Sequence, residues 1–189
     1  MESMSDLNEI TMFVCTNCAR PGKEMTSSGR LRPVVPDFGL PGPVQQVLVP
    51  CTGRLQPEHI LRAFEAGSRV VSVIACQEDN CHYAEGSRRC ALRVDYIRSI
   101  LKEIGLGDDR LLLSYLPGSA SEDLAMAASG RLTAIGSETY EAQVAAVRTQ
   151  LMNALQGLPP NPLRVLAKEE KASDLSEAAT VLSEVGCDE

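Results

Sequence analysis

Val44-Gln45-Gln46-Val47-Leu48-Val49 runs into Pro50-Cys51-Thr52-Gly53-Arg54, and Val70-Val71-Ser72-Val73-Ile74-Ala75 runs into Cys76-Gln77-Glu78-Asp79-Asn80-Cys81. Both apolar runs have the length and β-branched content of buried strands, and each ends on a cysteine. Between them, Pro57 suits the first turn of a helix, and Ile60, Leu61 and Phe64 form one apolar face. Gly67 stands where a helix ends. Strand, helix and strand make a βαβ unit, whose strands are parallel and whose crossover is right-handed.

The same pattern extends in both directions. Upstream, Ile10 to Val14 is a third β-prone run, ending in Phe13-Val14-Cys15-Thr16-Asn17-Cys18. Downstream, Cys90, Val94, Ile97, Leu101 and Ile104 recur at helical period, predicting a helix over Gly86 to Ile104 that Gly105 ends. Arg110 to Leu116 is a fourth strand, stopped by Pro117-Gly118. The expected fold is α/β: a small, mostly parallel sheet of about four strands, with helices on both faces. Cysteine-rich loops lie at the strand C-terminal ends. Val44–Val49, Val70–Ala75 and Leu111–Leu116 are expected at the centre of the sheet.

Residues 19 to 43 carry Gly22, Gly29, Pro33, Pro36, Gly39, Pro41, Gly42 and Pro43, which forbid a long helix or a central strand. Arg20, Lys23, Arg30 and Arg32 make this loop locally basic. Ser121 to Ala128 reads as helical. Ser137 suits the N-cap of a further helix carrying Val144, Val147, Leu151 and Leu155, which Gly157-Leu158-Pro159-Pro160 breaks. The pattern then weakens, and Lys168-Glu169-Glu170-Lys171 is a solvated charge run. The expected organisation is a flexible N-terminus over 1–9, an α/β domain over 10–158, and a tail over 159–189 that orders on a partner.

Composition narrows the function. The chain has 189 residues and 44% hydrophobic residues, enough for one core. With aromatics at 4% and no Trp, that core is aliphatic. A net charge of −7 argues against nucleic acid, which is held by clustered Lys and Arg. No apolar stretch reaches membrane-spanning length, and the polar, acidic start lacks an export pattern, so a cytoplasmic location is expected. Glycine-rich nucleotide fingerprints, phosphate-binding loops and Gly-x-Ser-x-Gly are absent, and two His offer few general bases. No catalytic residue is assigned.

Seven cysteines remain. Clustered thiols in a reducing compartment bind metal or react more often than they form structural disulfides. Open α/β sheets hold ligands beyond the carboxyl ends of their strands, where Cys15, Cys18, Cys51, Cys76 and Cys81 all fall. Four thiolates ligate either an iron–sulfur cluster or zinc, and five candidates exceed four sites. Cys-x-x-Cys also serves thiol–disulfide exchange through Cys15 and Cys18. By periodicity Cys90 is a core residue, and Cys187 is a free thiol of the tail. His82 is expected beside the site rather than as a ligand, His59 on a helix surface, and Arg54 as a counter-charge or a salt-bridge partner of the next helix. Spacing alone leaves cluster and zinc open.

Phe13-x-Cys15-x-x-Cys18, Cys51-Thr52-Gly53-Arg54 with Pro57 and Ala63-Phe64-x-x-Gly67, Cys76-x-x-x-x-Cys81-His82-Tyr83-x-x-Gly86, Arg93, and Gly105 before a strand together resemble the delta-subunit family of methyl-viologen-reducing hydrogenase, the hydrogenase iron–sulfur subunit. The resemblance covers Phe13 to Ser121. It implies a [2Fe–2S] protein without a substrate of its own. Such a protein relays electrons between the flavin-containing large subunit of a heterodisulfide-reductase-like complex and an electron-donating or electron-accepting oxidoreductase subunit. The setting is anaerobic and often one of electron bifurcation. The resemblance maps the ligands onto four of Cys15, Cys18, Cys51, Cys76 and Cys81. The alternative is a zinc-stabilised docking subunit without redox activity. Thr16, Asn17, Ala19 and Arg20 replace the family's usual aromatics around the first pair, Ser87 replaces its usual Asn, and the loop from Pro33 to Pro43 is long.

Overall fold

The computed structural model describes residues 9–16, 23–25, 31–33, 37–77, 81–116 and 137–164. In chain order its elements are β1 (Ile10–Cys15), β2 (Lys23–Met25), β3 (Leu31–Pro33), β4 (Val44–Val49), α1 (Pro57–Glu65), β5 (Val70–Cys76), α2 (Gly86–Glu103), β6 (Leu111–Leu116) and α3 (Ser137–Gly157). Short 3-10 turns lie at Thr52–Arg54 and Asp108–Arg110. The expected helix at Ser121 to Ala128 falls outside the described residues.

The main sheet is parallel, in the order β4-β1-β5-β6. This is the α/β architecture expected, with one correction. Val44–Val49 and Leu111–Leu116 are the two outer strands of the described sheet, and its centre is β1 and β5. Burial gives the reason. Every residue of β1 and β5 is buried, whereas β4 contains Gln45 and Gln46, both exposed. Two consecutive amides cannot both be buried in a sheet centre without partners, so β4 takes an edge. Residues 19–43, expected as loop, also contain a two-stranded antiparallel ribbon that pairs Glu24 with Arg32.

Side chains alternate across the sheet, as the strand period requires. Phe13, Val71 and Val73 face α1 and α2 in a core with Ile60, Phe64, Val94, Ile97 and Leu101. Ile10, Met12, Val14, Val70 and Ile74 face α3 through Val147 and Leu151. Helices thus cover both faces.

At the N-terminal edge of the sheet, residues 158–164 fold back onto the core. Asn161 is 2% exposed. It donates to the carbonyls of Phe64 and Ser68 at 2.8 Å each and accepts from the Leu163 N–H at 2.9 Å. Buried Arg110 donates to the Leu106, Arg69 and Pro160 carbonyls. Glu9 pairs with both Arg69 and Arg164. Asn161→Ala strands these buried carbonyls, and is expected to lower stability by about 2–3 kcal/mol. A reduced urea midpoint at unchanged slope checks this.

Candidate metal centre

The opposite edge gathers the cysteines, because parallel strands deliver their C-terminal ends to one side. β1 ends on Cys15 and β5 on Cys76, and their sulfurs lie 3.8 Å apart. The chain leaves β4 through Pro50, whose carbonyl accepts from the Cys15 thiol at 3.6 Å. Cys51 then enters the turn Thr52–Arg54, closed by Arg54 N–H to Cys51 O at 3.0 Å. Cys81 follows β5 and packs against Cys15 and Cys76. From Cys81 the chain turns through Ala84, left-handed at φ 55°, into the first turn of α2.

Two glycines let these pieces meet. A Cβ on Gly53 would stand 2.6 Å from the Gly86 Cα and 2.7 Å from its carbonyl oxygen. The Cys51 turn and the start of α2 therefore touch backbone to backbone. A Cβ on Gly86 would overlap the Cys51 sulfur and come within 3.0 Å of the Cys81 sulfur. Gly86 is thus the floor on which these two sulfurs sit. Arg93, two turns further along α2, donates to the Gly53 carbonyl and to the Leu55 carbonyl at 3.1 Å, tying the same turn down. Arg93→Met keeps the stem and loses both bonds. It is expected to cost about 2–3 kcal/mol, and Arg93→Lys recovers part, because one ammonium cannot reproduce the fork. Thermal unfolding of the two variants checks this.

The sulfurs differ electrostatically. Burial pushes the Cys51 thiol up, the Gly53 N–H opposes this, and the neighbouring Cys15 and Cys81 sulfurs push it further up. Burial also pushes Cys81 up, but the Ser87 hydroxyl and the N–H groups of Tyr83, Ser87 and Gly86 outweigh it and leave that thiol below its ordinary value. Cys90 is different: burial pushes it up to about 11. It packs in the α1–α2 core as expected, with Thr52 as its hydrogen-bond neighbour.

Cys15, Cys51, Cys76 and Cys81, four of the five cysteines singled out from sequence, therefore meet at one edge. Cys18 and Cys187 lie outside the described residues. Spacing pairs Cys76 with Cys81 and leaves Cys51 alone; the structure sets Cys76 beside Cys15 and Cys51 beside Cys81. Among the described residues no three His, Cys, Asp or Glu side chains stand in ligating geometry. Cys76 is disulfide-bonded, a bond that reduction opens before its sulfur can take a metal. The donor set nevertheless fits a thiolate-ligated centre: sulfurs only, lined by N–H donors. Thiolates crowded this closely repel one another unless a cation lies among them.

His59 is exposed on α1, and its Nδ1 accepts the Gln56 N–H at 3.0 Å. His82 is exposed and meets Tyr83 edge-on, with ring centroids 4.9 Å apart. Arg54 is exposed and lines a cavity of about 230 Å³ over Cys51, with Tyr83, Glu85 and Arg89. In the sequence, Gly53, Gly86 and Arg93 are only letters of a motif. Gly53 with Gly86, Gly86 with Cys51 and Arg93 with Gly53 join residues more than thirty positions apart, which no local pattern signals.

The family model described as methyl-viologen-reducing hydrogenase, delta subunit, matches residues 10–136. The chain belongs to that family. Among delta-subunit relatives, the F420-non-reducing hydrogenase iron-sulfur subunit of Archaeoglobus profundus is 32% identical over 110 residues, 58% of this chain and 75% of the relative. The F420-non-reducing hydrogenase vhu iron-sulfur subunit of Methanopyrus kandleri is 31% identical over 125 residues, 66% of this chain and 89% of the relative. A third relative is much longer. It is a component of the ferredoxin/F(420)H(2)-dependent CoB-CoM heterodisulfide reductase of Methanosarcina acetivorans, 29% identical over 113 residues. That match takes in 60% of this chain but only 13% of the relative. Among the described residues no helix is long and apolar enough to cross a membrane.

Proposed function

We propose that this chain is an electron-transfer subunit that holds a [2Fe–2S] cluster through four of Cys15, Cys18, Cys51, Cys76 and Cys81. It relays electrons, without a substrate of its own, between the flavin-containing large subunit of a heterodisulfide-reductase-like complex and an oxidoreductase subunit. The observation that carries the reading is the gathering of four cysteines at one sheet edge, Cys15 with Cys76 and Cys51 with Cys81 over Gly86, where an open parallel sheet holds its ligands. When bound, the cluster supplies one-electron cycling. The chain supplies thiolates, backbone N–H donors and a seat walled by β1, β5 and α2. The cavity over Cys51 leaves one side of that seat open toward solvent, where a partner can approach.

Family membership supports an iron–sulfur role, since the relatives are named iron-sulfur subunits. The heterodisulfide reductase relative carries a stretch like this chain within its own, much longer sequence. That arrangement supports a partner resembling the rest of that protein, met here in trans. We place the complex in the cytoplasm of an anaerobe, with electron bifurcation as its setting.

The test is anaerobic purification of the full chain under reductant, then an absorption spectrum with iron and acid-labile sulfide assays. Brown protein with about two iron and two sulfide per chain is the expected result. Colourless protein that holds zinc after attempted reconstitution would overturn the relay and leave a zinc-held docking subunit.

A further inference from the structure

Aromatic residues are scarce in this chain, and Phe13, Phe38 and Phe64 are all buried. Tyr83 and Tyr96 are not: they stand 55% and 59% exposed, with Leu92 at 65%. Single exposed apolar side chains are ordinary, but these three follow one line. Tyr83 lines the cavity over Cys51 together with Arg54, Glu85 and Arg89. Leu92 comes three residues after Arg89 and Tyr96 four after Leu92, so on α2 they carry the same stripe away from the cavity. That stripe lies opposite the one formed by Cys90, Val94, Ile97 and Leu101, which fills the core.

The charge of this surface departs from that of the whole chain, which is −7. Arg54 and Arg88 are exposed, and among the described residues neither side chain has a carboxylate partner. The carboxylates beside the stripe are already taken, Glu85 by Arg89 at 3.5 Å and Asp95 by Arg98 at 3.2 Å. The result is an apolar strip rimmed by uncompensated cations at its cavity end. Tyr and Arg are residue types that anchor protein interfaces, and complementary potential selects the partner.

We propose that this surface, with Tyr83, Leu92 and Tyr96 as its apolar centre and Arg54 and Arg88 as its rim, is the docking face for a one-electron redox protein whose own contact surface is acidic. The inference rests on the cluster reading above and names the chemistry of one of the relay's two partners. A protein docked here covers the open side of the sulfur site.

The experiment uses the full chain, loaded anaerobically, and as probe a plant-type [2Fe–2S] ferredoxin, a small acidic one-electron protein. Binding is read by isothermal titration calorimetry at low and high salt, with iron and sulfide assayed on each preparation. The variants are Arg54→Glu, Arg88→Glu, Leu92→Ser with Tyr96→Ser, and Lys102→Glu. All five side chains are exposed, so the fold should hold, which circular dichroism checks. Lys102 lies on α2 about 24 Å beyond Gly86 and places the same charge change far from the face. Arg54→Glu and Arg88→Glu are each expected to weaken binding roughly tenfold at low salt and to flatten its salt dependence. Leu92→Ser with Tyr96→Ser is expected to weaken it at both salts, and Lys102→Glu to leave it near wild type. Absent binding by the wild type, binding that ignores the arginine reversals or the apolar removals, or an equal loss in Lys102→Glu overturns the inference, while bound iron and sulfide keep the relay. If the wild type takes up no iron and sulfide, the relay falls, and the same comparison on the colourless chain decides the face by the same outcomes.

Discussion

Gly86→Ala is expected to abolish retention of iron and sulfide while leaving the fold in place. The added Cβ would overlap the Cys51 sulfur and stand 3.0 Å from that of Cys81. Helix propensity acts the other way, more weakly at this first position of α2 than in a helix interior, since alanine is favoured over glycine. A conformational explanation therefore predicts a more stable protein, and only the packing explanation predicts a lost centre. The clash is with two side-chain sulfurs at the rim of α2, so the sheet and both cores need not move. Far-ultraviolet circular dichroism and thermal unfolding should stay near wild type while bound iron falls at least tenfold. Retained iron in a folded Gly86→Ala protein would show that the sulfurs have another arrangement.

The second large effect is the pattern across single cysteine substitutions. Of Cys15→Ser, Cys18→Ser, Cys51→Ser, Cys76→Ser and Cys81→Ser, four should each lose the centre, and the one that keeps it marks the cysteine that is not a ligand. Cys90→Ala should keep it. Cys90 stands one helical turn beyond Gly86, but its thiol is buried in the α1–α2 core and pushed up to about 11. In the folded, metal-free, reduced protein at neutral pH, Cys90 should accordingly resist alkylation until denaturant is added, while Cys81, only half-buried and held below its ordinary value, reacts. A thiol–disulfide enzyme would need Cys15 and Cys18 alone. Loss of iron in Cys51→Ser and Cys81→Ser, measured beside intact Cys90→Ala, separates the two.

Much of this was legible from residue order. The apolar run ending at Cys76 and the stripe from Cys90 to Leu101 predict β5 and α2 closely, because a buried strand or helix face enforces its period on the sequence. The gathering of cysteines follows from one topological rule, that parallel strands end together. The centre of the sheet does not follow. The valines of Val44–Val49 suggest a central strand, although Gln45 and Gln46 already mark an edge. β1, the true neighbour of both β4 and β5, is six residues long like β4 and β6, so its length does not announce its place. The pairing of Cys51 with Cys81 is hidden for another reason. It depends on Gly53 meeting Gly86, a close approach made by the absence of two side chains. Asn161 leaves no signal, since one amide after two prolines resembles any loop residue until its buried partners Phe64 and Ser68 are seen.

The placement of β1 at the middle of the sheet has a consequence for synthesis. A chain leaving the ribosome exposes its central strand first, and the neighbours of that strand arrive only with residues 44 to 49 and 70 to 76. The described sulfurs of the site have all emerged by Cys81, but the floor they rest on, Gly86, and the clamp on the Cys51 turn, Arg93, come afterwards. There is thus a window of translation in which the nascent chain carries all five candidate thiols of the site and no seat for them. Loading of iron and sulfide belongs after release of α2 from the exit tunnel, and until then these thiols depend on the reducing power of their surroundings.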